Sequence, residues 1–233
     1  MKKIGLVLFL LTLAAGVLIS NLFSLGRVSG EAFDISLKFG STKGSGNIVR
    51  EARNVSGFRG VDVGGVFQVE ITAQKEFSVE VEADDNLLPM ITTEVRGGIL
   101  HIHTNKKIST GNPLRVRISA PDLEQLEVSG AANVSMKDLN NASLVVDSSG
   151  ASKVQIAGVT KRLEMDVSGA TRVEASELKA VDARIEASGA SNVQVNVSGE
   201  LKADASGASK IAYTGSPSNV QNKTSGASSV HPK

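Results

Sequence analysis

The sequence predicts an all-β protein whose second half is a β-helix-like solenoid with coils of about 19 residues. One phrase, Ser-Gly-Ala followed three residues later by Val or Ile, occurs six times there. Counted from Ser to Ser, successive copies lie 20, 19, 20, 18 and 19 residues apart. So regular a period indicates one supersecondary unit that stacks on itself. Apolar and polar residues alternate on both sides of each copy, and no long amphipathic helical pattern follows residue 26, so the units are strands.

Each Ser-Gly-Ala phrase is interpreted as a corner between two strands. Glycine permits the backbone conformation that a sharp corner requires, and alanine keeps the inside of the corner narrow. Six coils at about 4.8 Å each predict a rod on the order of 30 Å long. The predicted corner glycines are Gly130, Gly150, Gly169, Gly189, Gly207 and Gly226.

The first 26 residues have the pattern of an export segment. Met1-Lys2-Lys3 supplies positive charge, and an almost unbroken apolar run follows from Ile4 to Ile19. The run extends far enough for a membrane span, so an uncleaved N-terminal anchor is the alternative to a cleaved signal peptide. Both predictions place the rest of the chain outside the cytoplasm, that is, in the periplasm, at the outer-membrane surface or in the medium.

Three further regions follow the export segment. Residues 27–47 are rich in Gly and Ser and predict a flexible linker. Residues 48–119 predict short strands, because Phe67, Val69 and Ile71 alternate with polar residues and similar runs recur. Gly64-Gly65 and other turn residues separate these runs. Residues 120–233 contain the repeats.

Composition excludes several classes of function. The net charge is +1, from 25 basic and 24 acidic residues, which gives no electrostatic case for nucleic-acid binding. The chain has no Cys, so disulfides, thiol catalysis and thiolate metal sites are excluded. Aromatic residues are only 3%, and the predicted core therefore consists of Val, Ile, Leu and Ala.

Equivalent positions of stacked coils form columns on the predicted rod. With the Ser of each phrase as zero, position −2 is acidic in five copies and position +4 carries Asn, Lys or Arg in five. Both positions alternate with apolar ones and are expected to face water. The predicted acidic surface ladder is Glu127, Asp147, Asp166, Glu186 and Asp204, followed by Lys223. The neighbouring column is Asn133, Lys153, Arg172, Asn192 and Lys210, followed by Ser229.

The acidic ladder has two interpretations. It is either a strip for Ca²⁺ or a cationic ligand, or a solvated surface whose charge is neutralised by Lys and Arg across the corner. The second is favoured, since charged side chains keep a flat parallel sheet soluble. The Gly-Gly-x-Gly-x-Asp repeats of calcium-binding β-rolls are also absent from the sequence.

No catalytic constellation is visible in the sequence, so no catalytic, metal or cofactor residues are predicted. His101 and His103 share a strand face but have no third metal ligand nearby, and are interpreted as exposed strand histidines. Asp84-Asp85 is interpreted as a turn with a capping Asp instead of an acid pair or cation site. The many serines lack a nearby His to act as base.

Over about residues 48–233 the chain resembles the bacterial family called putative auto-transporter adhesin, head GIN domain. The resemblance rests on the stretches Val49–Phe58, Val61–Val63 and Val79–Leu88, the recurrent Val-Ser-Gly-Ala-Ser phrase and the ending Ser225–Val230. It implies an exported protein with a right-handed β-helix-like fold, common in Bacteroidota-type bacteria. It implies no catalytic residues, and fold alone does not settle function.

Three functions follow as hypotheses. The leading one is a non-enzymatic adhesion or ligand-binding module of the cell envelope, with a glycan, a cell-surface protein or an envelope protein as partner. The second is a polysaccharide-acting enzyme, for which Arg172, Asp166, Glu186 and Arg184 are the densest candidate groups. The third is a structural module, including a homo-oligomer that covers the edge of the last coil.

Overall fold

Stacked parallel strands form most of the computed structural model, which describes residues 40–233. The predicted signal peptide or anchor (residues 1–26) and most of the predicted linker lie outside the described residues. The described part is nearly all β, with one 3₁₀ turn at Leu88–Met90, and the predicted all-β solenoid is confirmed. None of its helical segments is long and apolar enough to cross a membrane.

The strands are named in chain order. They are β1 Thr42–Lys43, β2 Ile48–Arg53, β3 Gly60–Gly65, β4 Gln68–Thr72, β5 Ser78–Asp84, β6 Ile91–Arg96, β7 Ile99–Thr104, β8 Ile108–Ser109, β9 Arg115–Ser119, β10 Gln125–Gly130, β11 Asn133–Ser148, β12 Lys153–Val167, β13 Arg172–Ala187, β14 Asn192–Val197, β15 Glu200–Ala205, β16 Lys210–Gly215, β17 Asn219–Thr224 and β18 Ser229–Pro232.

Two parallel ladders, one on each side of the Ser-Gly-Ala corners, build the solenoid. The pre-corner ladder has the order β7, β3, β10, β11, β12, β13, β15, β17. The post-corner ladder has the order β9, β4, β11, β12, β13, β14, β16, β18. The long strands β11, β12 and β13 contribute their first halves to the post-corner ladder and their second halves to the pre-corner ladder.

A second bend interrupts each long strand between the two ladders. The register between β11 and β12 shifts between Met136 and Leu139, and similar shifts occur in the next two pairs. Asp138 and Gly158 have φ values of 60° and 140° at this bend. Each coil therefore has a Ser-Gly-Ala corner and an irregular bend, which explains why only the corner is periodic in sequence.

Four strands from residues 48–119 add rungs to the same ladders. The rung formed by β3 and β4 lies between two others: the rung of β7 with β9 on one side, and the rung of β10 with β11 on the other. The stacking order therefore differs from the chain order at this end. Antiparallel strands finish it: β5 pairs with β9, β2 pairs with β5, and β6 pairs with β7. The parallel stack is thus covered at its N-terminal end by strands that pair in the antiparallel manner.

The core is a continuous column of small and medium aliphatic side chains inside the coils. Val, Ile, Leu, Ala and Met fill it, as the low aromatic content predicts. The fully buried rings are Phe58 and Phe67, both near the N-terminal end. A narrow coil leaves room for one layer of such side chains between the two ladders, and their burial supplies the main favourable term in folding.

Residues 40–47, part of the predicted linker, are hydrogen bonded to the rest of the structure. β1 pairs with β8, and the buried carboxylate of Asp84 accepts hydrogen bonds from Gly46 N and Asn112 Nδ2 at 2.8 and 2.9 Å. Asn86 Oδ1 accepts a hydrogen bond from Ser45 N at 2.9 Å. These contacts hold this segment against the turn that follows β5.

The last coil is more polar and more exposed than the inner coils, although Val220 and Val230 still pack against the core. β17 and β18 pair with β15 and β16, but most of their residues are exposed. Asn222 and Thr224 stand in register with Ala203 and Ala205, where inner coils bury small apolar groups. A polar terminal coil is what a solenoid requires at an end that no further coil covers.

Candidate functional site

The corner positions the surface columns, and its geometry depends on stacked glycines. Every predicted corner glycine has a positive φ, between 72° and 88°. A Cβ added to Gly150 would lie 2.3 Å from the carbonyl oxygen of Gly130 in the preceding coil, and one added to Gly169 would lie 2.4 Å from that of Gly150. The stack also includes Gly65, whose carbonyl oxygen accepts the hydrogen bond of Ala131 N at 2.9 Å. Glycine is therefore required by backbone conformation and by the close approach of the next coil.

A column of buried hydroxyls lies just inside the corner, and the sequence interpretation missed it. Position +3 carries Ser152, Thr171, Ser191 and Ser209, all buried. Thr171 and Ser209 donate to the carbonyl oxygen three residues earlier, each at 2.8 Å. The recurrent Ser or Thr after Ser-Gly-Ala was the available signal, because a hydroxyl at this spacing can bond its own turn.

The predicted acidic ladder stands in register on the pre-corner ladder. Glu127 pairs with Asp147, Asp147 with Asp166, Asp166 with Glu186, Glu186 with Asp204, and Asp204 with Lys223. The column gains one member that the sequence interpretation did not include, because Asp62 of β3 pairs with Glu127. The acidic column, as the name is used below, comprises Asp62, Glu127, Asp147, Asp166, Glu186 and Asp204.

Hydrogen-bonding partners contact the acidic column near its ends. His101 Nδ1 lies 2.9 Å from Asp62 Oδ2, and Arg184 Nη2 lies 2.6 Å from Glu186 Oε1. At Asp147 partial burial, followed by repulsion from Asp166 and Glu164, raises the carboxyl pKa above its usual value. Among residues 40–233, Asp147 and Asp166 have no Lys, Arg or His nitrogen within 4.0 Å, so the middle of the column has no direct ion pair.

Ion pairs do not cross the corner to neutralise the column. Lys153 Nζ pairs with Glu174 Oε2 at 3.6 Å, which is a contact within the post-corner ladder. Lys202 pairs with Glu200, and Arg184 with Glu186, both within the pre-corner ladder. In residues 40–233 no Lys or Arg of the post-corner ladder lies within 4.0 Å of a carboxylate of the acidic column. Direct ion pairs across the corner are therefore not found in residues 40–233, and neutralisation of the column by more distant Lys and Arg stays a prediction.

The second predicted column also stands in register, on the outward side of the post-corner ladder. Gln68 pairs with Asn133, Asn133 with Lys153, Lys153 with Arg172, Arg172 with Asn192, and Asn192 with Lys210. A parallel row two residues further on carries Ser135, Gln155, Glu174 and Gln194. The basic-amide column, as the name is used below, comprises Asn133, Lys153, Arg172, Asn192 and Lys210.

The four groups considered for an enzyme are divided between the two faces. Asp166 and Glu186 belong to the acidic column, and they line an open groove of about 470 Å³ with Asp204 and Lys223. Arg184 stands two residues before Glu186 on the same face, whereas Arg172 lies on the post-corner ladder. The structure therefore does not bring Arg172 together with the other three.

The remaining candidates are engaged in structural contacts. His101 bonds Asp62, and His103 stands on the same strand opposite Thr92. Hydrogen bonds from Thr110, Asn112 and the Gly46 N–H lower the pKa of Asp84, and Ser45, Asn47 and the Asn86 N–H do the same for Asp85. In the part of the chain that the structure describes, no group of three or more His, Asp or Glu side chains is arranged to hold a metal ion.

A buried ion-pair cluster at the N-terminal end was also missed. Glu82 is 6% exposed, and its carboxylate oxygens lie 2.6 Å from Arg50 Nε and 2.7 Å from Arg115 Nη1. Hydrogen bonds from Arg115 and Arg50 lower the pKa of Glu82 to about 2. The antiparallel pairing of β2, β5 and β9 brings these groups together, so periodicity in the repeats gives no signal for it.

Comparison with known proteins identifies the family. A family model described as putative auto-transporter adhesin, head GIN domain, matches residues 57–217. The chain belongs to this family. The match begins before the first Ser-Gly-Ala phrase, in agreement with the position of β3 and β4 inside the stack. No curated protein sequence matches the chain significantly.

Solved structures of three bacterial proteins share the fold. A putative adhesin from Bacteroides fragilis has a TM-score of 0.70 at 19% identity, over 83% of this chain and 100% of that one. A putative lipid binding protein from Parabacteroides distasonis has a TM-score of 0.56 at 17% identity, over 83% and 100%. A putative adhesin from Parabacteroides merdae has a TM-score of 0.52 at 18% identity, over 83% and 99%. At these identities the likeness concerns the fold alone.

Proposed function

We propose that this head GIN family member is an exported, non-enzymatic adhesion module of the cell envelope that binds its partner with the outward side of its ladders. The observation that carries the proposal is the register of two rows of polar side chains on a rigid parallel scaffold. Each row repeats at about 4.8 Å, so it presents an extended surface suited to a long partner instead of a pocket suited to a small one.

The family and the export segment support the location. The family description and the solved relatives refer to adhesins, and the sequence begins with a charged, then apolar segment of the type that directs export. The relative described as lipid binding adds lipids to the ligand classes worth screening.

Location is tested by expressing the full-length chain in a bacterial host and fractionating the cells. N-terminal sequencing of the recovered protein distinguishes a cleaved signal, with a new terminus near residue 26, from a retained anchor beginning at Met1. Recovery of the folded chain only from the cytoplasm would contradict the proposal.

Binding is tested with the exported protein on whole cells and on arrays of envelope glycans, lipids and proteins. Two variants divide the surface: Asp147→Asn with Asp166→Asn removes two of the six carboxylates of the acidic column, and Arg172→Gln with Lys210→Gln removes two of the three cations of the basic-amide column. We expect at least one to reduce adhesion while its circular dichroism spectrum stays native. A folded protein that binds none of the cells or array components would refute an adhesion role.

A further inference from the structure

The post-corner face carries exposed cations that form no ion pair with a carboxylate of residues 40–233. Arg172 and Lys210 are exposed, and among residues 40–233 neither has a carboxylate within 4.0 Å. Lys233 adds a third cation to this face, since its Nζ donates a 2.8 Å hydrogen bond to Gln194 Oε1. Lys153 is the exception, because Glu174 lies 3.6 Å away.

The spacing of these cations is set by the ladder. Arg172 pairs with Asn192, and Asn192 pairs with Lys210, so the two cations stand two rungs, or about 10 Å, apart. Asn192 lies between them, and an amide offers both a donor and an acceptor. From Arg172 to Lys210 the column therefore presents a cation, an amide and a cation along the rod axis.

We propose that this face binds a linear polysaccharide carrying carboxylate groups, such as a polymer of uronic acids. The inference rests on the proposed function and names the partner of its post-corner surface. Guanidinium and ammonium groups bind carboxylates, and the planar guanidinium of Arg172 can donate two parallel hydrogen bonds to one carboxylate. Asn192 and Gln194 side chains would meet the sugar hydroxyls between charged groups, and several weak contacts along one chain add up through multivalency.

Other occupants fit this face less well. The large apolar side chains that are exposed, namely Ile48, Val66, Phe77, Val159 and Val181, are not members of the column or of its neighbouring row. A lipid surface would require apolar groups among the cations. Among residues 40–233, no Phe, Tyr or Trp belongs to the column or to its neighbouring row, so charge is expected to provide most of the affinity for a sugar chain.

The test is titration of the exported protein with polygalacturonate, with its methyl ester as the matched ligand that lacks the charges. We expect binding of the acid form that weakens as salt rises, and no binding of the ester. The variant Arg172→Gln with Lys210→Gln is expected to lose about tenfold in affinity. Lys75→Gln with Lys161→Gln removes the same net charge outside the column and is expected to bind like the parent protein.

Three results would overturn the proposal. One is equal binding of the ester. Another is an equal loss in the two double variants, which would show a non-specific charge effect. The third is a sedimentation mass that rises with protein concentration in the parent protein but stays that of the monomer in the Arg172→Gln, Lys210→Gln variant. That result would show that the face binds the acidic column of a second copy of the chain. If the polymer fails to bind while whole-cell adhesion persists, the adhesion function stands and only this partner is wrong.

Discussion

The amide nitrogen of Ala170 donates a 2.8 Å hydrogen bond to the carbonyl oxygen of Gly150 in the preceding coil. The same bond joins each Ser-Gly-Ala corner to the one before it, from Ala131 to Ala227. The corner is thus a continuation of the parallel ladder through a bend. This continuity keeps the two outward columns in register along the stack.

Substitution of a corner glycine in the middle of the stack should be strongly destabilising. Gly169→Ala places a Cβ 2.4 Å from Gly150 O at a φ of 76°, and we expect it to lower the free energy of unfolding by more than about 2 kcal/mol. Gly111→Ala is the matched control, because a Cβ there meets nothing within 4 Å. Urea unfolding followed by circular dichroism measures both; equal midpoints would show that the corner tolerates a side chain.

The buried hydroxyls should contribute unequally to stability. Ser209 Oγ donates to the carbonyl oxygens of Ser206 and Ala187 at 2.8 and 3.1 Å, whereas the buried Ser191 Oγ has no hydrogen-bond partner. We expect Ser209→Ala to cost about 1 kcal/mol and Ser191→Ala to be neutral or slightly stabilising. Thermal unfolding of the two variants side by side tests this, and the reverse order would contradict it.

Repulsion in the middle of the acidic column should be measurable at neutral pH. A raised carboxyl pKa means that the folded state binds the proton more tightly than the unfolded state, so the charge opposes folding at pH values above that pKa. We expect Asp147→Asn to stabilise the protein at pH 7 by less than about 1 kcal/mol, and less in high salt.

Asp204→Asn is the control for this prediction. Asp204 pairs in register with Lys223, so its removal loses attraction as well as repulsion and should not stabilise. Denaturant titrations in low and high NaCl compare the two variants, and a stabilisation of both to the same extent would mean that column position is irrelevant.

The Glu82 cluster should make stability fall in acid. Its pKa is about 2 in the folded protein against an ordinary 4.5. As pH falls, the Glu82 carboxylate is therefore protonated in the unfolded chain before it is protonated in the folded protein. The stabilisation that the ionised carboxylate provides is complete above about pH 4.5 and is lost as pH falls toward 2. In Glu82→Gln this part of the pH dependence should disappear, and stability at pH 7 should fall by about 1–2 kcal/mol.

Glu76→Gln, at an exposed position, controls for the loss of one negative charge. Urea midpoints of the parent and both variants at pH 7 and pH 3 give the comparison. If Glu82→Gln retains the parent's full loss of stability between these pH values, the cluster is not its source.

Much of the candidate site could be predicted because it is periodic. Glu127, Asp147 and Asp166 occupy one position of a repeat, and a constant coil length must bring them into one column. The same reasoning predicts the column of Lys153 and Arg172 and the stack of corner glycines. Which face carries a ligand was not predictable, since periodicity places charges without showing where their counter-ions lie.

Contacts outside the repeat could not be predicted in the same way. Asp62 joins the acidic column, and Gly65 begins the glycine stack, although both precede the first phrase by more than 60 residues. Their positions follow from the placement of β3 between β7 and β10. No short-range pattern shows that placement, and the Glu82 cluster depends on antiparallel pairing of strands whose contacting residues lie 32 and 33 positions apart in the chain.

The sequence by itself determined the strand content, the corners and the order of charges along each column, because these follow from a side-chain period of two and a coil of nearly constant length. Only the tertiary structure decided that residues 60–72 lie deeper in the stack than residues 99–119, which follow them in the chain. It also decided that antiparallel strands cover the N-terminal end, and that the ion pairs of residues 40–233 form within a face instead of across the corner. These features arise from long-range pairing and side-chain reach, which depend on which strands become neighbours in space.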